Sequence, residues 1–63
     1  MLIVRGQNYF VGHEPSIDLL SIDGVDVALS VQPDEINMDD GIVRFGSVLL
    51  RGRVQFSFRR AVA

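Results

Sequence analysis

"IDLLSIDGVDVALSV", residues 17–31, decides the fold. Asp23 and Gly24 separate two β-rich runs in the way a two-residue hairpin turn of the primed type requires, because that turn needs residues tolerant of positive φ at its centre. The pairing then sets Ile22 opposite Val25 and Leu20 opposite Val27. Side chains alternate along a strand, so Leu29 and Val31 continue the same face, which is predicted to be core. Ile17, Leu19 and Ser21 fall on the other face with Asp26, Ala28 and Ser30, leaving it only half polar.

Upstream, "LIVR" (2–5) and "NYFVG" (8–12) read as short strands joined around Gly6 and Gln7 in a second hairpin. "HEPS" (13–16) interrupts the ladder because Pro15 has no N–H to donate. Downstream, "QPDEINMDDG" (32–41) reads as a crossing loop of proline and acids, in which Ile36 and Met38 could anchor a brief extended piece. In the closing stretch, Gly46 and Ser47 form a glycine-first turn that pairs Phe45 with Val48 and Val43 with Leu50. Parity then carries Val54, Phe56 and Phe58 to the core side and Arg44, Leu49, Arg51, Arg53, Gln55, Ser57 and Arg59 to the outer side. Gly52 permits the bend that a small barrel corner needs. No window holds a 3.6-residue period, nothing repeats and no linker divides the chain. The expectation is one all-β domain, residues 1–63, built as a small barrel or sandwich of five to six short antiparallel strands.

A chain of 63 residues is marginal alone, since at this size only about 60% of the unfolded surface is buried. Zero cysteines exclude disulfide staples and thiolate metal sites, which leaves association with other subunits as the expected support. The hydrophobic content of 48% fits a globular protein. No apolar run approaches the ~20 residues of a membrane span. "MLIVRGQ" lacks the basic flank and long apolar core of a signal peptide, so synthesis in the cytoplasm is expected, with no membrane partner.

Charge is segregated along the chain. Residues 1–40 hold all eight acids and one arginine, a charge of −7, whereas residues 41–63 hold five arginines and no acid, a charge of +5, which together give the net −2. An arginine surface (Arg44, Arg51, Arg53, Arg59) and an acidic loop (Asp34, Glu35, Asp39, Asp40) are the candidate interaction residues. They can pair within one chain, where exposed ion pairs are worth only about 0–1 kcal/mol each. They can also pair between copies, head to tail, with complementarity setting partner choice and rate.

Nucleic acid is the other candidate partner, since arginine suits phosphate. Single-strand binders, however, place stacking aromatics on the charged face, and Phe56 and Phe58 point away from it. Catalytic chemistry has little to stand on. His13 is the sole histidine and, with Glu14, offers at most two adjacent ligands. "DEINMDDG" lacks the alternation and closing glutamate of an EF-hand loop. The serines have no companion base with which to form a nucleophile. No catalytic residue, metal site or cofactor is expected.

Residues 1–36 are similar to the carbon storage regulator family of RNA-binding translational regulators. The likeness rests on "MLI" (1–3), "VGHE" (11–14) and "LLSIDGVDVALSVQP" (19–33), a hairpin followed by proline. It implies an interlocked β dimer that binds GGA-containing RNA through an arginine near the first strand and another after a proline-led fifth strand. Arg5 stands near the first position, but Asp39 and Asp40 stand where the second would fall, and a β-patterned segment replaces the family's C-terminal helix. The sequence therefore points first to a non-enzymatic protein-binding module, self-associating or held in a larger assembly such as a virion capsid or tail. A small RNA-binding regulator is the alternative.

Overall fold

The Asp23-Gly24 turn forms as its residues require, with φ of 55° at Asp23 and 82° at Gly24, and it joins strands paired Ile22 to Val25 and Ser21 to Asp26. The computed structural model describes residues 2–6 and 16–59. Among them the strands are β1 (Ile3–Arg5), β2 (Ile17–Ile22), β3 (Val25–Asp26), β4 (Glu35–Asn37), β5 (Ile42–Phe45), β6 (Val48–Arg51) and β7 (Val54–Phe58). They make two sheets, one in the order β1-β4-β5-β6 and one in the order β3-β2-β7. The class is all-β, with seven described strands where five to six were expected.

The second turn also matches its chemistry. Gly46 has φ of 58°, and Phe45 pairs with Val48 and Val43 with Leu50. Inward rows from both sheets meet in one core of Leu2, Val4, Ile17, Leu20, Ile36, Val43 and Val54.

Four expectations need correction. Ile17 belongs to the core and not to the outer face, because the β2–β7 ladder shifts register between Ile17 and Leu19: Ile17 pairs with Phe58 while Leu19 pairs with Ser57. One extra residue, Asp18, turns the side-chain order over, as a bulge does. Val25, Val31 and Val48, expected inside, are exposed. β3 ends after two residues; Val27 and Leu29 still pack against the core as the alternation predicts, but Val25 beside the turn and Val31 at the end of the run do not.

The stretch 32–41 is more than a loop. β4 lies inside the four-stranded sheet, with Ile36 fully buried between Val4 and Val43. Finally, the ladder is not antiparallel throughout, because β1 pairs parallel to β4. The Ile3 N–H donates to the Asp34 carbonyl and the Met38 N–H to the Arg5 carbonyl, which fixes that register at both ends. The partner expected for β1, residues 8–12, lies outside the described residues.

Gly52 is where the chain leaves one sheet for the other. Its φ is 154°, its N–H donates to the Gly41 carbonyl, and a Cβ placed there would lie 2.6 Å from both Ile22 Cγ2 and Asp23 Oδ2. Only glycine fits that corner. Beyond it the phenylalanines leave the core progressively: Val54 is buried, Phe56 half-buried and Phe58 39% exposed. Phe58 packs edge-on against Phe56, with ring centroids 5.1 Å apart.

Candidate interaction surface

The corner at Gly52 divides the arginines between two surfaces. On the outside of the four-stranded sheet, register places Ile3, Glu35, Arg44 and Leu49 in one row and Arg5, Asn37, Ile42 and Arg51 in the next. Arg53 and Arg59 instead flank β7 in the other sheet. Arg44 and Arg51 are thus neighbours on one surface, and Arg53 and Arg59 border a second.

Part of the acidic loop is used within the chain. Arg44 Nη1 lies 3.6 Å from Asp34 Oδ2, and Arg5 Nε lies 3.5 Å from Glu35 Oε2. Asp34 does more than pair charge. Its carboxylate accepts from the Gly46 N–H at 2.6 Å and its own N–H donates to the Arg44 carbonyl, so it holds the β5–β6 turn. Arg44 Nη1 completes the arrangement by donating to the Gly46 carbonyl at 3.2 Å. Both ion pairs are well exposed and contribute little each, whereas the bonds to backbone set local shape.

Asp39 and Asp40 have a different task. Asn37 Oδ1 accepts from both of their N–H groups at 3.1 Å, and Asn37 Nδ2 donates to Asp40 Oδ2 at 3.1 Å. This is an asparagine-led turn that sends the chain from β4 back into β5.

Arg51, Arg53 and Arg59 are exposed, and among the described residues no carboxylate lies within ion-pair distance of their side chains. Their backbones are nevertheless well placed. The Arg53 N–H donates to Asp23 Oδ1 at 2.8 Å, the Asp23 N–H donates to the Arg53 carbonyl at 2.9 Å, and the Arg59 N–H donates to the Ser16 carbonyl. Both arginines therefore project from fixed points at the two ends of β7.

Between those ends lies the outer face of the three-stranded sheet. Asp26, Ser21 and Gln55 form one row across it, and Leu19 and Ser57 the next. They line a shallow groove of about 270 Å³ in which Leu19 is 64% exposed. Leu19 was expected on an outer face. Asp26 was placed beside it by the same parity but went unmarked as an interaction residue, although an acid two positions past a hairpin turn was the signal available. A second groove, of about 240 Å³, opens where Val27, Ala28, Ser30 and Val31 pass Phe45, Val48 and Leu50.

His13 lies outside the described residues. Among those described, no group of three or more His, Asp or Glu side chains could hold a metal ion, and no helix is long and apolar enough to cross a membrane. The chain matches no family model, no curated protein and no solved structure, so the likeness to the carbon storage regulators rests on the quoted residues alone.

Proposed function

We propose that the chain is a non-enzymatic protein-binding module, a small self-associating or lattice-bound structural accessory such as a capsid or tail component of a virion. The observation that supports this reading is the balance of apolar side chains. Among the described residues seven large hydrophobics are exposed, as many as form the buried core. Burying one leucine or valine side chain completely contributes about 1.5–3 kcal/mol, so covering even a few of the exposed ones rivals the whole stability expected of a domain this size. We read the two sheets as facing layers of a small sandwich, a reading supported by the single core they share. Each layer then turns its other face outward, toward partners.

The test is the absolute mass in solution by size exclusion with light scattering, at low and at high salt. A multimer at low salt that dissociates at high salt supports charge-guided assembly. A folded monomer under all conditions, with no affinity for any assembly, overturns it.

Arg51, Arg53 and Arg59, exposed and with no carboxylate in ion-pair reach among the described residues, favour a second reading, an RNA-binding regulator. On that reading a short guanine-rich RNA shifts the protein at moderate salt and Arg51→Ala abolishes the shift. The two readings separate by salt, because a salt-resistant dimer favours the RNA regulator whereas a multimer that salt dissociates favours charge-guided assembly.

A further inference from the structure

We infer that the outer edge of β6 takes up an extended segment of another protein, a strand that carries an acid beside Arg51 and aliphatic side chains at the positions facing the core. This deepens the protein-binding reading, on which it rests, by giving it a place and a class of partner. β6 is the last strand of the four-stranded sheet and pairs only with β5 among the described residues. Its register fixes which backbone groups are left over. Phe45 and Val48 flank a two-residue turn and so exchange both hydrogen bonds, as do Val43 and Leu50, and the Gly52 N–H on the Gly41 carbonyl continues the alternation. The N–H and carbonyl groups of Leu49 and Arg51 therefore point away from β5. Among the described residues no other backbone bonds to them. A row of this kind is a template for an added strand.

The side chains along the edge fit that use. Val48 belongs to the inward row, yet it is 55% exposed because no strand lies beside it. Val31 is exposed as well, and with Val48 it borders the groove of about 240 Å³ that Phe45 and Leu50 also line. That volume is below the roughly 300–1,000 Å³ of a small-molecule pocket. A strand added beside β6 sends alternate side chains into it.

Charge selects the occupant. Residues 27–31 and 45–50, which border the groove, carry no charge. At one end of β6 stands Arg51, with no carboxylate in ion-pair reach among the described residues. The acids beside the Gly41–Gly52 junction are engaged otherwise: Asp40 accepts from Asn37 Nδ2 and Asp23 from the Arg53 N–H. At the other end Arg44 and Asp34 neutralise each other over the Gly46 turn. Arg5 and Glu35 pair with each other two and three strands away, and Asp18 and Asp26 stand on the other sheet. The edge is thus apolar with a cation at one end, and an acid directly opposite Arg51 makes a favourable cross-strand pair. In an antiparallel strand the acid comes first, then an aliphatic residue opposite Leu50, a free choice opposite Leu49 and a second aliphatic residue opposite Val48.

A second β6 does not meet this requirement. Paired antiparallel about Leu50, two copies bring their Arg51 side chains to diagonal positions ~7–8 Å apart, with Arg44 of each on the same face. Paired about Arg51, they set arginine directly against arginine. Paired about Leu49, they carry Arg51 opposite the Gly46-Ser47 turn, where the other strand has ended.

The experiment follows the backbone amides of the isotopically labelled chain by nuclear magnetic resonance while a short peptide centred on Glu-Val-Thr-Val is added to millimolar concentration. The expected result is alternate protection: hydrogen exchange slows at the Leu49 and Arg51 amides and is unchanged at Val48 and Leu50, which β5 already holds. Arg51→Glu is expected to weaken binding of this peptide about 3- to 10-fold and to favour a Lys-Val-Thr-Val version instead. Leu49→Pro removes one outward donor at an edge position that tolerates proline, and is expected to abolish binding while circular dichroism keeps its β signal. If the peptide leaves exchange at Leu49 and Arg51 unchanged, or slows it equally in Arg51→Glu, the inference is overturned. If both amides are already protected without peptide and lose that protection on dilution, a second copy holds the edge, and the inference is overturned likewise. A multimer whose β6 edge ignores the peptide keeps the protein-binding reading, whereas a monomer that binds neither peptide nor assembly loses both.

Discussion

Replacing Gly52 by alanine tests the corner between the two sheets. At φ of 154° an alanine is strained, and its Cβ would sit 2.6 Å from Ile22 Cγ2 and 2.6 Å from Asp23 Oδ2, too close for either to stay. Backbone strain of this kind costs about 1–3 kcal/mol. Displacing the Asp23 carboxylate also breaks its bond from the Arg53 N–H, a further loss of about 1 kcal/mol. The total is about 2–4 kcal/mol, against a stability of roughly 3–5 kcal/mol for a domain this small.

Gly24→Ala is the control. Gly24 also has positive φ, 82°, but an added Cβ meets nothing within 4 Å. Its cost is confined to about 1–2 kcal/mol of local strain. Urea unfolding followed by far-ultraviolet circular dichroism compares the two. Gly52→Ala should lose most of its cooperative transition while Gly24→Ala keeps a shifted one. Equal midpoints would refute the argument, since they would mean that the space around Gly52 does not matter.

Ile36→Ala, in the middle of the acidic stretch, should cost about 2–5 kcal/mol because Ile36 is fully buried, and should abolish cooperative melting, whereas Val31→Ala at an exposed position should barely move it. Gln32→Leu should cost about 1–3 kcal/mol, because the Gln32 amide both accepts from the Ile17 N–H at 2.7 Å and donates to the Ile17 carbonyl at 3.1 Å; denaturant titration gives the loss, and hydrogen exchange at the Ile17 amide should accelerate with it. Arg53→Glu should weaken association and flatten its salt dependence while leaving the circular dichroism unchanged, because only the backbone of Arg53 is used by the fold; unfolding instead would place the side chain inside.

What the sequence made legible was local. Asp23-Gly24 and Gly46-Ser47 dictate their own turns, and each turn dictates a register, so both hairpins and the inward direction of Leu20, Val43 and Val54 follow from a few adjacent residues. Gly52 was readable as a bend for the same reason. What escaped depended on distant partners. β4 is hidden among acids because its one buried residue, Ile36, is held by strands from both directions along the chain, and no periodicity exists in three residues. Ile17 escaped because parity counting assumes an unbroken ladder, and the extra residue at Asp18 reverses the count. The candidate surface was half visible: arginines at alternate positions announced an exposed face, but the corner that sends Arg51 to one sheet and Arg53 to the other comes from packing around Ile22 and Asp23.

The ladders also set an order in time. The β2–β3 and β5–β6 hairpins close over two-residue turns and can zip within microseconds. β2 and β7, by contrast, must find each other across residues 23–53, and β1 must find β4 in parallel across an intervening sheet element. Both searches carry the entropy of closing a long loop before any contact rewards it. Two early hairpins and two late strands make this a slow folder for its length. During that interval β2 has an open edge, and a neighbouring chain's β7 offers the same ladder as its own, so exchange of the last strand between copies is the natural hazard when the protein is concentrated.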